Sequence, residues 1–188
     1  MARIEIIIVG IGGMGVILAG RILARAAAIY ENKEVVQTQS YGAEARGTAA
    51  KSEIIIDDRK INYPKVRKCD ILIAMSQDGL KKYLPYLKNN GNLIFEKSLI
   101  KNVPKMRKLK ILGVPAVKIA EELIGKRMVA NIVIISAAAR FSKIVSENSL
   151  KKAIIDVVPE PVRNINLRAV EEGNRFLKSY LRNTTTVF

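Results

Sequence analysis

The sequence has no histidine and no tryptophan, and only one of its 188 residues is cysteine. Without histidine, the chain lacks the side chain that most often serves as a general base or as a transition-metal ligand near neutral pH. A single cysteine excludes an internal disulfide and any four-cysteine metal or iron–sulfur site built by this chain alone. Cys69 adjoins the apolar run over residues 71–75, so we expect a buried structural residue rather than a nucleophile.

Long hydrophobic runs are also missing. The neutral stretch over residues 6–20 is interrupted by glycine, and it is shorter than the roughly 20 apolar residues that a membrane-spanning helix needs. Arg3 and Glu5 interrupt the N-terminal stretch, which therefore does not resemble a secretory signal. We expect no membrane contact and, given the single cysteine, a cytoplasmic location.

Acidic residues are scarce beside basic ones. The chain has 32 lysines and arginines against 17 aspartates and glutamates, which gives a formal net charge of +15. Such an excess suits a phosphorylated ligand, an acidic partner, an anionic membrane or nucleic acid, and it also occurs on an ordinary lysine-rich surface. The densest basic run, over residues 97–110, has no aromatic residues interleaved with it, and no nucleic-acid-binding motif is present, so we expect no nucleic-acid partner.

What the sequence does contain is an apolar strand followed directly by a glycine turn and a helix. Residues 6–9 are β-branched, a G-x-G-x-x-G spacing follows, and an alanine- and leucine-rich segment extends to about residue 31. The free N–H groups at the start of such a helix attract anions. The alternative is a turn that only packs the helix closely on the strand. The ligand contacts predicted for this turn are Gly10, Gly12, Gly13 and Gly15.

A dinucleotide site would need an acidic residue at the end of the second strand. The predicted second strand covers residues 34–38; it ends in Gln37, Thr38 and Gln39, and its only acidic residue, Glu34, stands at its start. A stand-alone NAD(P)-linked oxidoreductase therefore remains an alternative that rests on the glycine turn alone. A basic binding protein without chemistry is a third hypothesis.

A polar segment, residues 39–48, follows the predicted second strand. Ligands bind at the carboxyl ends of strands in open α/β sheets, and a guanidinium can hold a carboxylate or phosphate through two hydrogen bonds. We predict a ligand or partner contact here; the alternative is a surface ion pair that holds a turn. Within the apolar helix predicted over residues 128–139, Asn131 either lines the site or is a satisfied core amide. The residues of this prediction are Tyr41, Gly42, Glu44, Arg46 and Asn131.

Strands that alternate with helices predict a single domain over residues 1–188. The expected architecture is a three-layer α/β/α sandwich with a mostly parallel sheet and one hairpin. We expect that hairpin between residues 49–56 and 59–62, because Asp57 and Asp58 are typical turn residues. The helix over residues 128–139 should be buried on several sides, and residues 183–188 should form a mobile tail.

Five segments occur in a characteristic order: residues 10–15, 41–47, 115–120, 131–133, and 166–169 with Gly173. Together they resemble the gamma subunit of 2-oxoacid:ferredoxin oxidoreductases over nearly the whole chain. The 41–47 loop is most similar to the 2-oxoglutarate type, and the pyruvate and branched-chain types are alternatives. Two residues depart from the pattern of that family: Met14 stands where the glycine turn usually has glutamine, and Thr48 stands where the 41–47 loop is usually followed by glycine. Met14 cannot make the hydrogen bonds of a glutamine side chain, but the backbone donors of the turn remain.

The resemblance implies a Rossmann-like subunit that is inactive alone. Its complex would convert 2-oxoglutarate and coenzyme A to succinyl-CoA and CO2 while reducing ferredoxin. It implies alpha-, beta- and delta-type partner subunits, which carry the thiamine diphosphate and the iron–sulfur clusters, and ferredoxin as a partner of the whole complex. For this chain it implies a contact with coenzyme A and no other cofactor. An isolated chain could also pair with a second copy of itself.

Overall fold

The structure, a computed structural model, describes residues 3–42, 49–104 and 108–185. The strands are β1 (Ile4–Ile11), β2 (Glu34–Tyr41), β3 (Ala49–Asp57), β4 (Cys69–Ala74), β5 (Leu87–Glu96) and β6 (Lys110–Val114). The α-helices are α1 (Val16–Arg25), α2 (Gln77–Tyr83), α3 (Ala116–Ile119), α4 (Ala130–Phe141), α5 (Glu147–Val157) and α6 (Arg163–Thr185). No helix of the described ranges is both long and apolar enough to cross a membrane.

All six strands form one sheet, in the order β2-β3-β1-β4-β5-β6. β1, β4, β5 and β6 pair in parallel, whereas β3 is antiparallel to both of its neighbours. β3 is thus the one strand of the sheet that runs against the others. The mostly parallel α/β sheet expected from the sequence is confirmed, and so is the presence of a hairpin.

The hairpin is built differently from the prediction. β2 and β3 form it, in register from Glu34 opposite Asp57 to Tyr41 opposite Ala50. The predicted return strand over residues 59–62 is wrong, because these residues are irregular. The Asp57 carboxylate accepts a hydrogen bond from the backbone N–H of Arg59 at 3.1 Å. This local turn ends β3 instead of reversing it into a new strand.

The two faces of the sheet pack against helical layers of different size. On β1, Ile6 and Ile8 face the larger core, to which α1, α4, α5 and α6 contribute. Ile7 and Val9 face a smaller core that α2 covers together with irregular segments. This alternation is the period of two that a strand buried on both faces requires. The result is the predicted three-layer arrangement, with one thick and one thin helical layer.

Helix α4 lies at the centre of the thick layer, and every residue from 130 to 139 is buried. The expectation of a helix buried on several sides is therefore confirmed. Close contact with α6 is possible because Gly173 has no side chain: a Cβ atom there would lie 2.4 Å from the carbonyl oxygen of Val133. α6 ends at Thr185, so it includes the first three residues of the predicted tail. The mobility of residues 183–188 stays a prediction, and residues 186–188 lie outside the described part.

Two helices depart from regular α geometry. α1 continues as a π-helical segment (Ala26–Tyr30), and α3 continues as another (Ala120–Ile124). The first one carries Tyr30, whose hydroxyl donates a hydrogen bond of 2.6 Å to the Asp156 carboxylate on α5. Arg25 donates to the same oxygen at 2.7 Å. Both hydrogen bonds keep the pKa of Asp156 below its usual value, so the carboxylate stays charged and links the end of this helix to α5.

Candidate functional site

The glycine turn leaves the carboxyl end of β1 and enters α1. Gly13 has φ 93° and Gly15 has φ 71°, in the left-handed region that side chains disfavour. A Cβ atom on Gly13 would meet no atom within 4 Å, so the outer side of the turn is open. Gly15 precedes the first turn of α1, where the structure shows no side-chain cap and no acidic residue in its described part. These exposed backbone donors suit an anionic group.

The inner side of the same turn is filled. The amide of Asn131 donates a hydrogen bond of 3.1 Å to the Gly15 carbonyl, and Asn131 is only 2% exposed. A Cβ atom on Gly15 would lie 2.4 Å from the Asn131 amide nitrogen, and one on Gly10 would lie 2.8 Å from Val16. Asn131 thus fixes the start of α4 beneath the turn. Gly10 and Gly15 serve close packing, whereas Gly12 and Gly13 form its exposed part.

Met14 makes a contact that the sequence did not reveal. Its backbone N–H donates to the Ile11 carbonyl at 3.1 Å, and its sulfur lies 3.4 Å from the Ile11 backbone nitrogen as a weak acceptor. The thioether therefore folds back onto the turn instead of extending toward solvent. A glutamine amide at this position would add donor and acceptor groups that a thioether cannot supply.

The hairpin brings the second predicted segment to the same edge of the sheet. Tyr41 lies opposite Ala50, which also lies opposite Gly10, so Tyr41 and Gly10 are separated by about 10 Å, two strand spacings. Tyr41 is 63% exposed, and the Gly42 N–H donates to the Ala49 carbonyl at 2.9 Å. Glu44 and Arg46 lie outside the described residues. The structure thus brings Tyr41 and Gly42 near the glycine turn.

One charged residue at this edge was missed by the sequence reasoning. Glu96 ends β5 and is fully buried. Its two carboxylate oxygens accept hydrogen bonds from the backbone N–H groups of Ser98, at 2.7 Å, and Val117, at 3.0 Å. Glu96 therefore caps the start of α3 and joins it to the sheet. A lone acid at the end of an apolar strand was the only signal that could have indicated this role.

The described part of this edge offers binding groups but no catalytic pair. Burial raises the pKa of the Cys69 thiol to about 12, and Cys69 begins β4 at the opposite edge, so it is not a nucleophile. Among the residues that the structure describes, no group of three or more cysteine and carboxylate side chains could hold a metal ion. The arrangement can bind an anion through backbone N–H groups and present an exposed tyrosine to another surface.

Comparisons with known proteins agree with this architecture. The family described as pyruvate ferredoxin/flavodoxin oxidoreductase matches residues 5–176. The 2-oxoglutarate synthase subunit KorC of Methanocaldococcus jannaschii is 46% identical over 178 residues, which cover 94% of this chain and 95% of the relative. The KorC subunit of Methanothermobacter thermautotrophicus is 43% identical over 180 residues, covering 93% of this chain and 95% of that protein.

Two solved structures share the fold. The keto/oxoacid ferredoxin oxidoreductase gamma subunit of Geobacter sulfurreducens PCA has a TM-score of 0.83 and 37% identity, covering 94% of this chain and 99% of that one. A 2-oxoglutarate:ferredoxin oxidoreductase from Magnetococcus marinus, with 2-oxoglutarate, coenzyme A and succinyl-CoA bound, has a TM-score of 0.85 at 22% identity. The match covers 95% of this chain but 32% of that longer one, so it shows the fold alone. This chain belongs to the pyruvate ferredoxin/flavodoxin oxidoreductase family, as a gamma-type subunit of a 2-oxoacid:ferredoxin oxidoreductase.

Proposed function

We propose that this chain is the gamma subunit of a cytoplasmic 2-oxoglutarate:ferredoxin oxidoreductase. The reaction converts 2-oxoglutarate and coenzyme A to succinyl-CoA and CO2, and the two electrons released reduce ferredoxin. The observation that carries the proposal is the 46% identity to a 2-oxoglutarate synthase subunit over nearly the full length of both chains. The pyruvate synthase subunit PorC of the same organism is 31% identical over a similar length, which favours the 2-oxoglutarate assignment.

The chemistry belongs to partner subunits in this proposal. The whole sequence contains one cysteine and no histidine, so it cannot supply the four thiolates of an iron–sulfur cluster. We place the clusters and the thiamine diphosphate on alpha-, beta- and delta-type partners, and we place the docking of ferredoxin on the assembled complex. The gamma subunit then contributes binding surface rather than reacting groups.

The carboxyl edge of the sheet is our candidate for the coenzyme A contact. The exposed part of the glycine turn, Gly12 and Gly13, offers backbone donors to a phosphate, and Asn131 holds the turn from beneath. We assign the partner-facing surface to Tyr41 and Gly42, continued by Glu44 and Arg46. The net charge of +15 favours both the coenzyme A phosphates and acidic partner surfaces.

A stand-alone NAD(P)-linked enzyme is less well supported. In a dinucleotide site the acid that binds the ribose stands at the end of the strand next to β1. Here antiparallel β3 lies between β1 and β2, and β2 ends in Ser40 and Tyr41. Glu34 is at the other end of β2, about 23 Å from Tyr41 at 3.3 Å per residue. The residues present do not fit a nicotinamide dinucleotide.

The test is reconstitution of the complex under anoxic conditions with and without this chain. We expect coenzyme A-dependent ferredoxin reduction with 2-oxoglutarate only when the chain is present, and at least about tenfold lower kcat/KM with pyruvate or 3-methyl-2-oxobutanoate, equivalent to about 1.4 kcal/mol. Equal turnover without this chain, or a preference for another 2-oxoacid, would contradict the proposal.

A matched pair of glycine variants tests the coenzyme A contact. Gly13 and Gly125 both have positive φ and both have open space where a Cβ atom would be. Each substitution by alanine therefore carries a similar backbone strain, about 1–2 kcal/mol. We expect Gly13→Ala to raise the KM for coenzyme A by about tenfold, because the added Cβ atom would obstruct the approach of a phosphate to the backbone donors and so weaken one hydrogen bond to a charged group. Gly125→Ala, the control, should leave that KM unchanged; equal effects of both variants would argue against a contact at the turn.

A further inference from the structure

A cavity lies in the thick helical layer, away from the glycine turn. Its volume is about 350 Å3, and it lies between the end of α4, the start of α5 and the middle of α6. Arg140 marks its position on α4, nine residues from Asn131, or about 13 Å along the helix. The cavity is therefore separate from the edge that carries the glycine turn, and the proposed reaction does not use it.

An unpaired amide opens into this cavity. Asn174 on α6 lines it and is only 4% exposed. Within the described ranges no hydrogen bond joins its side chain to another residue, although buried polar groups nearly always have a partner. Every side-chain nitrogen or oxygen that is fully shielded in the described part has a partner, so the Asn174 amide must contact the cavity itself.

The acidic groups at the cavity are already engaged. The Glu31 carboxylate accepts a hydrogen bond of 2.7 Å from the Ser146 backbone N–H, and so caps the start of α5. Glu147 lies 3.1 Å from the Lys151 ammonium. The start of α5 is therefore capped and is not an open anion site. Glu31 and Glu147 are charged, but both already have partners within the protein.

The basic residues at the cavity, Arg140 and Lys143, make weaker ion pairs than the acidic ones or none in the described part of the chain. The Arg140 guanidinium lies 3.9 Å from Glu147, at the limit of an ion pair. Lys143 follows α4 with φ 53° and is exposed, and in the described part of the chain no ion pair joins it to a carboxylate. Arg140 and Lys143 therefore border the cavity and can still pair with an anion. Its apolar wall is formed by Ala139, Ile144, Val145 and Leu150.

We propose that this cavity binds a short-chain organic carboxylate. The carboxylate would lie between Arg140 and Lys143, and the hydrocarbon stem would pack on the apolar wall. A hydroxyl or oxo group would hydrogen-bond to the Asn174 amide, which can act as donor and acceptor. The buried Asn174 amide matches the hydroxyl or oxo group, the apolar wall matches the hydrocarbon stem, and the two basic residues match the carboxylate.

The experiment compares three probes on the full-length chain by isothermal titration calorimetry. 2-Hydroxy-3-methylbutanoate carries all three features, 3-methylbutanoate lacks the hydroxyl, and inorganic phosphate offers only the anion. We expect the hydroxy acid to bind about fivefold more tightly than 3-methylbutanoate, the effect of one neutral hydrogen bond. Phosphate should bind more weakly than either. Absence of binding of the hydroxy acid at millimolar concentration would overturn the proposal.

Two variants assign the contacts. Asn174→Leu is similar in shape and removes a buried polar group, so it should keep the chain folded and abolish the difference between the two acids. Lys143→Gln should weaken both acids equally, whereas Lys178→Gln, an exposed α6 residue outside the cavity, should change neither. A persisting fivefold difference in Asn174→Leu, or equal losses in Lys143→Gln and Lys178→Gln, would refute this site. These readouts require no turnover, so they are independent of the proposed enzyme activity.

Discussion

Replacing Gly173 by alanine tests the contact between α4 and α6. Helix propensity alone predicts stabilisation, because alanine in a helix interior is favoured over glycine by about 1 kcal/mol. The structure predicts the opposite sign. A Cβ atom on Gly173 would lie 2.4 Å from the Val133 carbonyl oxygen and 2.9 Å from the Ser136 Cβ. Contacts this short are not tolerated, so one of the helices has to move.

The size of the destabilisation by Gly173→Ala depends on which atoms around the new Cβ can move away from it. Val133 contributes a backbone atom of α4, which is buried along residues 130–139, so no flexible side chain can give way. Overpacking of a close-packed core costs about 1–3 kcal/mol, and a displaced helix belongs in the upper half of that range. After the gain in propensity is subtracted, we expect a net destabilisation of about 1–2 kcal/mol, or a Tm lower by about 2–8 °C.

The assay is urea and thermal unfolding of the full-length chain. Ser179→Ala is the control: Ser179 is an exposed residue of the same helix, and this change should stabilise by a few tenths of a kcal/mol through propensity alone. If Gly173→Ala proves as stable as the wild type while Ser179→Ala behaves as expected, the two helices are not packed as closely as the structure indicates.

Three further predictions concern other parts of the chain. Glu96→Gln should lower the free energy of unfolding in urea by about 1–3 kcal/mol, because an amide cannot accept from both buried N–H groups; an unchanged value would mean that this cap is unimportant. Arg46→Ala should change the free energy of unfolding by less than about 0.5 kcal/mol but weaken assembly or raise the KM for coenzyme A; a destabilised chain in a kinetically normal complex would instead indicate a structural role. Partial burial raises the pKa of Glu31, but hydrogen bonds from Ser146 and Ser149 outweigh it and leave that pKa below its ordinary value of 4.5. Its contribution to stability is therefore present above pH 4.5 and lost as the pH falls through the lower folded-state pKa, so urea unfolding at several pH values should show wild type and Glu31→Gln converging in acid.

Local sequence patterns were sufficient for two strands, β4 and β6, and for the buried helix α4. β4 and β6 are short apolar runs bounded by turn residues, and α4 is apolar on every side, so each could be recognised without its partners. Strand pairing was less accessible. Asp57 and Asp58, at the end of β3, indicated a reversal, but the hairpin partner of β3 is β2, which extends to Tyr41. Register depends on the whole sheet, which a local pattern does not contain.

The candidate site shows the same limit at the level of single residues. The spacing of the glycines indicated the turn, but not that Gly10 and Gly15 are closely packed while Gly13 faces open space. For Asn131 the sequence left two roles open. The structure shows an amide bonded to the Gly15 carbonyl, and a ligand contact through Asn131 stays a prediction. The Asn131–Gly15 contact joins residues 116 positions apart in the chain, beyond the reach of a local pattern.

The π-helical segments bear on how chains of this family can vary in length. A π turn closes its hydrogen bond over one residue more than an α turn does. Losing one residue from Ala26–Tyr30 or Ala120–Ile124 would restore an ordinary α turn and leave the flanking residues facing the same way. A one-residue gap at either place in an alignment can therefore lie inside a continuous helix, where no loop needs to change.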